Sequence, residues 1–120
     1  MSISFAVIGG GNMAKAIVEG AIAGNVLTPD TIVVADPEEA CRNHFESLGC
    51  QTVAEASALP PTPHVMLSVK PQVFDAVAAD VKGDIVYSIM AGVTIERIAN
   101  AIGHHHIVRM MPNLPCSIGY

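Results

Sequence analysis

Gly9, Gly11 and Ala14 stand in Ala6-Val-Ile-Gly-Gly-Gly-Asn-Met-Ala14, where the apolar run Ile3–Ile8 gives way to helical spacing of Met13, Ile17 and Ala21 with Ala14, Val18 and Ile22. A strand, a glycine-rich turn and a helix start are the context that a dinucleotide fingerprint requires. In that fingerprint the first glycine permits the tight turn and the second lets backbone approach a pyrophosphate. The third small residue allows close packing of helix on strand. The free N–H groups of the helix's first turn and its dipole then favour the diphosphate. On this reading Gly9, Gly10, Gly11, Asn12 and Met13 form the phosphate cradle.

Other polar or turn-forming residues fall at the ends of apolar runs: Asp36, Ser68-Val69-Lys70-Pro71, Ala91-Gly92 and Met111-Pro112-Asn113. In open α/β sheets ligands bind outside the carboxyl ends of the strands. None of these residues makes a nucleophile–base pair, so reactive chemistry would come from a cofactor. Asp36 sits where an acid accepts hydrogen bonds from the adenosine ribose, and it is equally placed to cap a helix opening at Pro37. Arg42, one turn on, could reach a 2′-phosphate. The expectation is therefore a modest preference for NADH, with NADPH also accepted. Lys70 is either a ribose or phosphate contact or a solvated loop lysine, with Pro71 stiffening the backbone beside it. Asn113, between Pro112 and Leu114-Pro115, is a candidate for the nicotinamide side. Arg109, inside an apolar strand, is expected to pair with a carboxylate. His104-His105-His106 is read as a solvated loop, because neighbouring residues entering a strand point to opposite faces. No metal site is expected.

These residues need a scaffold, and apolar runs alternate with helical patterns along the whole chain. Strands are expected at Ile3–Ile8, Thr31–Ala35, Gln51–Val53, His64–Val69, Asp84–Met90 and Ile107–Met111. Helices are expected from Asn12 to Ala23 and from Asp36-Pro37 to Gly49, the second with Ala40, Cys41, His44, Phe45 and Leu48 inward. A third starts at Pro71, with Val73, Val77 and Val81 on one face. A fourth starts after Thr94 as N-cap, with Ile95, Ile98, Ala99 and Ile102 inward. The loop Pro60-Pro61-Thr62-Pro63 leads into the fourth strand. The fold class is α/β, a Rossmann-type doubly wound, mostly parallel sheet of about six strands ordered 3-2-1-4-5-6.

The 120 residues suit one domain, burying roughly two-thirds of the unfolded chain's surface. They are 51% hydrophobic and 14% charged, with a net charge of −5. Six scattered basic residues argue against a nucleic-acid surface. No run approaches the ~20 apolar residues of a membrane helix. The N-terminus reads directly as a strand, without a secretion signal. Cys41, Cys50 and Cys116, odd in number and irregularly spaced, are expected as free thiols in a reducing cytoplasm. The end at Ile118-Gly119-Tyr120 reads as a loop, so residues 1–120 are expected to be the dinucleotide domain of a longer, two-domain protein.

Four segments together carry a family likeness: Gly9-Gly10-Gly11-Asn12-Met13-Ala14, Ser68-Val69-Lys70-Pro71-Gln72, Ala91-Gly92-Val93-Thr94-Ile95 and Arg109-Met110-Met111-Pro112-Asn113-Leu114-Pro115. In this order and spacing they resemble pyrroline-5-carboxylate reductase. The first is shared with many dehydrogenases; the other three are more specific. The resemblance implies reduction of the cyclic imine pyrroline-5-carboxylate to proline with NADPH or NADH, the last step of proline biosynthesis. It implies that Gly9 to Met13, Ser68 to Pro71, Ala91, Gly92 and Asn113 line the dinucleotide groove. It also implies a helical second domain, absent here, that builds a homo-oligomer and supplies most of the substrate site, so no catalytic residue is assigned. Where many members carry an Asn after the third strand, this chain has Ala54-Glu55-Ala56. Rival readings are another small dehydrogenase, β-hydroxyacid or deazaflavin-dependent, and a sensor that binds a dinucleotide without turnover.

Overall fold

The computed structural model of the protein describes residues 3–103 and 106–110. Six strands, β1 (Phe5–Ile8), β2 (Ile32–Ala35), β3 (Gln51–Val53), β4 (Thr62–Leu67), β5 (Gly83–Ser88) and β6 (Ile107–Arg109), pair in parallel. Their order is β3-β2-β1-β4-β5-β6, as the alternation of runs predicts. Between them lie α1 (Asn12–Ala23), α2 (Glu39–Ser47), α3 (Pro71–Val77) and α4 (Ile95–Ile102). The order in which successive strands are added reverses at β1, whose neighbours are β2 and β4.

Apolar strands without polar alternation need cover on both faces. Ala6, Ile8, Val65 and Leu67 pack with Phe74, Val93 and Ile98 on the α3–α4 side. Val7, Ile32, Val34 and Met66 pack with Ala14, Val18 and Phe45 on the α1–α2 side. Phe45 and Phe74 are fully buried, one in each layer. Truncating either to Ala costs about 3–5 kcal/mol in a core of this kind. The helix termini follow local rules: Pro71 occupies the first turn of α3, and the Thr94 hydroxyl accepts the Arg97 N–H at 3.1 Å.

Several boundaries and faces differ from the sequence expectation. A 3-10 turn at Pro29–Thr31 delays β2 to Ile32. β4 starts two residues early and contains Pro63. Proline is tolerated there because the Thr62 N–H already points to Lys82 O, at 3.1 Å, so Pro63 faces the opposite side. On that side pairing with β1 begins only at His64, so no ladder bond is lost. Pro37 does not open a helix. Instead the Asp36 carboxylate accepts the Glu38 N–H at 2.8 Å, a local turn that holds the chain extended until α2 begins at Glu39.

With Phe45 inward, Cys41 and Leu48 flank it one turn away, whereas Ala40 points outward and is exposed. In α3 the buried residue is Phe74, backed by Val77 and Ala78, and the rotation leaves Val73 41% exposed. In α4 Ile98 and Ala99 are buried, while Ile95, at the first helical position, is 44% exposed. Arg109 is exposed and makes no salt bridge among the described residues. His104 and His105 lie outside the described residues, as does Met111. Among the described residues no cluster of His, Cys, Asp or Glu could hold a metal ion, and no helix is long and apolar enough to cross a membrane.

Candidate functional site

The carboxyl end of β1 turns sharply at Gly9, whose φ is +97°. A Cβ there would stand 2.9 Å from the Ser68 carbonyl carbon and the Val69 nitrogen, so only glycine fits. The Gly9 N–H donates to Ala35 O at 2.9 Å, extending the β1–β2 ladder by one residue. At the next residue the Gly10 N–H donates to Asp36 Oδ2 at 2.7 Å. A Cβ on Gly10 would meet Phe45 at 2.9 Å, so α2 backs the loop from below. Gly11 precedes α1 with an ordinary φ of −70°, and a Cβ there would meet nothing within 4 Å. Two glycines are therefore required by the protein's own packing. The third keeps open the space in front of the α1 N-terminus.

On the other side of β1, the Ser68 N–H donates to Ile8 O at 2.9 Å. The Ser68 hydroxyl lies within bonding reach of the carbonyl oxygens of Ile8, at 3.1 Å, and Gly9. The glycine turn is thus laced to β2 through Asp36 and to β4 through Ser68. Asp36 is fixed at four points, because its own N–H donates to Val53 O at 3.1 Å and its main-chain oxygen accepts from Arg42 Nη1 at 2.9 Å.

A groove of about 810 Å³ opens above these strand ends. Gly9, Gly10, Gly11, Asn12, Asp36, Ser68, Val69 and Lys70, all singled out from sequence, line it together. Met13, Pro71, Ala91 and Gly92 are not among its lining residues. Asn113 lies outside the described residues. Ala54, Glu55 and Ala56, where a familial Asn is missing, do contribute to the wall. Sequence reasoning missed Lys15, Cys41, Ser57, Val73 and Asp80. Lys15 had a usable signal, since it lies one helical turn beyond Gly11 and helical side chains lean back towards the N-terminus. The Cys41 thiol is pushed above its ordinary range first by burial, then by its contact with Glu38 at 3.5 Å and the charges of Asp36 and Glu38. Lys15 pulls it the other way. Burial alone raises Cys50, which lies in the core.

A family model described as NADP oxidoreductase coenzyme F420-dependent matches residues 4–92, well over half of the chain. The chain belongs to that family. It is 38% identical to a pyrroline-5-carboxylate reductase of Synechocystis over 99% of its own length and 47% of that protein's. A solved structure of a pyrroline-5-carboxylate reductase from Coxiella burnetii is 35% identical. It superposes with a TM-score of 0.83 over 97% of this chain and 46% of that one. The fold is also that of Plasmodium falciparum pyrroline carboxylate reductase, solved with NADP bound, at 23% identity and a TM-score of 0.79. That match covers 98% of this chain and 45% of the other. The chain spans about half the length of the curated relatives it matches. The likeness read from the four motifs and the likeness found by comparison agree.

Proposed function

We propose that this chain is the dinucleotide-binding domain of a pyrroline-5-carboxylate reductase, a two-domain oxidoreductase that makes proline with NADPH or NADH. The observation that carries the reading is the contrast among the glycines: Gly9 and Gly10 are packed against protein, whereas Gly11 faces open groove at a helix N-terminus. That space suits a diphosphate, which the N–H groups of the first helical turn would hold. Asp36 suits the adenosine ribose as a fixed acceptor, since each carboxylate oxygen keeps a second lone pair. Lys15 and Lys70 supply positive charge to the walls. When bound, the cofactor would supply the hydride that adds to the imine carbon of pyrroline-5-carboxylate, the nitrogen taking a proton, so that the C=N bond becomes the CH–NH of proline. This chain's part is to bind and orient the dinucleotide and to shield one side of it from water. The specific motifs around Pro112 and Asn113 favour pyrroline-5-carboxylate over the hydroxyacid or deazaflavin chemistries of related dehydrogenases. The rest of the longer protein would complete the substrate site and a homo-oligomer, in the cytoplasm.

Calorimetric titration with NADH and NADPH, run beside an assay for proline formed from pyrroline-5-carboxylate, tests both halves of the proposal. The chain by itself should bind dinucleotide weakly and form no proline, while the chain within the longer protein should turn over. Failure of both dinucleotides to bind the folded chain sinks the reading. Turnover by the chain alone, at the rate of the longer protein, defeats the need for a second domain.

A further inference from the structure

We infer that the groove selects NADH over NADPH, and that Arg42, the basic side chain bonded to the Asp36 main chain, does not serve a 2′-phosphate. The inference rests on the dinucleotide reading above and goes beyond it. Asp36 cannot swing aside, because its two carboxylate oxygens take the Gly10 N–H at 2.7 Å and the Glu38 N–H at 2.8 Å. Its negative charge is therefore held at the end of β2, at the ribose position of such folds. Arg42 Nη1 donates instead to the main-chain oxygen of Asp36 at 2.9 Å, and Arg42 is not a lining residue of the groove. The cation that could have offset the acid is thus occupied in holding the turn from behind. Glu38 and Glu55 also line the groove.

A free ribose 2′-hydroxyl has a proton to donate to a carboxylate. A phosphorylated one has none and adds about −1.5 to −2 charge beside the acid, by analogy with a phosphorylated side chain. Lys15 and Lys70 are the cations lining the groove, two positive charges against the four negative ones of Asp36, Glu38, Glu55 and Asp80. The preference runs against the cofactor in the family's description and in the Plasmodium structure, both of which name NADP.

The test is equilibrium binding of NADH and NADPH to the chain, with ADP-ribose and its 2′-phosphate as probes lacking the nicotinamide. NADH should bind at least about tenfold more tightly, and the gap should narrow as salt screens the exposed charges. Glu38→Gln, which leaves both Asp36 hydrogen bonds to backbone intact, should shift the ratio towards NADPH. Arg42→Ala should leave the ratio where it was. NADPH binding as tightly as NADH overturns the inference, and so does a selective loss of NADPH affinity in Arg42→Ala. If neither dinucleotide nor ADP-ribose binds, the groove assignment itself fails, and this preference with it.

Discussion

The two ends of the sheet's carboxyl edge are built differently. Around β1, β2 and β4 the turns are tied to one another: Gly10 to Asp36, Asp36 to Val53, and Ser68 to Ile8 and Gly9. Beyond β5, the segment Ala91-Gly92 is exposed, and a Cβ on Gly92 would meet nothing within 4 Å. The Ser88 hydroxyl makes only a local bond there, accepting the Met90 N–H at 3.2 Å. The main-chain ties stop at the strand end, where Ser88 O accepts the Met110 N–H at 2.7 Å and the Ile89 N–H donates to Leu67 O at 3.1 Å. One region is a finished half-site whose geometry the chain imposes on itself. The other, Ala91-Gly92, is an exposed turn with room around it, anchored on either side by the buried Met90 and Val93. The first can hold a ligand's anchor without help. The second gains a role only when something is placed against it.

Substituting glycines on each side breaks this comparison most directly. Gly9→Ala meets both a left-handed backbone and a collision with β4 main chain. It should cost about 3 kcal/mol, combining ~1–2 for the conformation with ~1–3 for overpacking. Urea unfolding reads that loss, and a cost below about 1 kcal/mol would show the glycine turn to be looser than described. Gly11→Val separates binding from folding. Nothing occupies the space its side chain would enter, so stability should stay within about 0.5 kcal/mol. Dinucleotide affinity should fall by at least about tenfold, or ~1.4 kcal/mol. Undiminished affinity in that folded variant would place the diphosphate elsewhere.

On the outer side, Gly92→Ala carries only the backbone penalty of φ +74°, about 1 kcal/mol, and should leave binding of ADP-ribose unchanged. A loss comparable to that of Gly9→Ala would erase the contrast between the two ends. The smallest effect belongs to Cys50, which lies in the core beneath the tied region. Its folded-state thiol is raised by burial, so the unfolded chain gives up the proton first. Its contribution is full below the ordinary thiol pKa and is lost as pH rises through the folded value. The difference in unfolding free energy between wild type and Cys50→Ala should therefore change above pH ~9 and stay flat at neutrality.

Strand order and the glycine cradle were legible from sequence because both rest on strong local constraints. Buried parallel strands read as unbroken apolar runs, and a turn with positive φ packed against the next strand end admits few residues besides glycine. The rotation of α3 was not legible. Val77 and Val81 do pack against the core as their spacing predicts, but that spacing does not show that Phe74 and Ala78 are the buried pair or that Val73 turns outward. Asp36-Pro37 misled for a different reason. The residues that cap a helix also make the turn in which a carboxylate accepts an N–H two positions on, and here the turn wins. Lys15 was passed over because a lysine on a helix usually reads as solvated surface. Its place in the groove follows from the angle at which α1 leaves the glycine turn.

For anyone redesigning the cofactor preference, the tether between Asp36 and Gly10 means that one side chain governs two properties. Exchanging the acid for a neutral residue would relieve repulsion at the proposed ribose position and, in the same stroke, release the glycine loop beside it. Retuning by point replacement should therefore start at Glu38, whose side chain caps nothing at the start of α2. Asp36 is better treated as part of the frame.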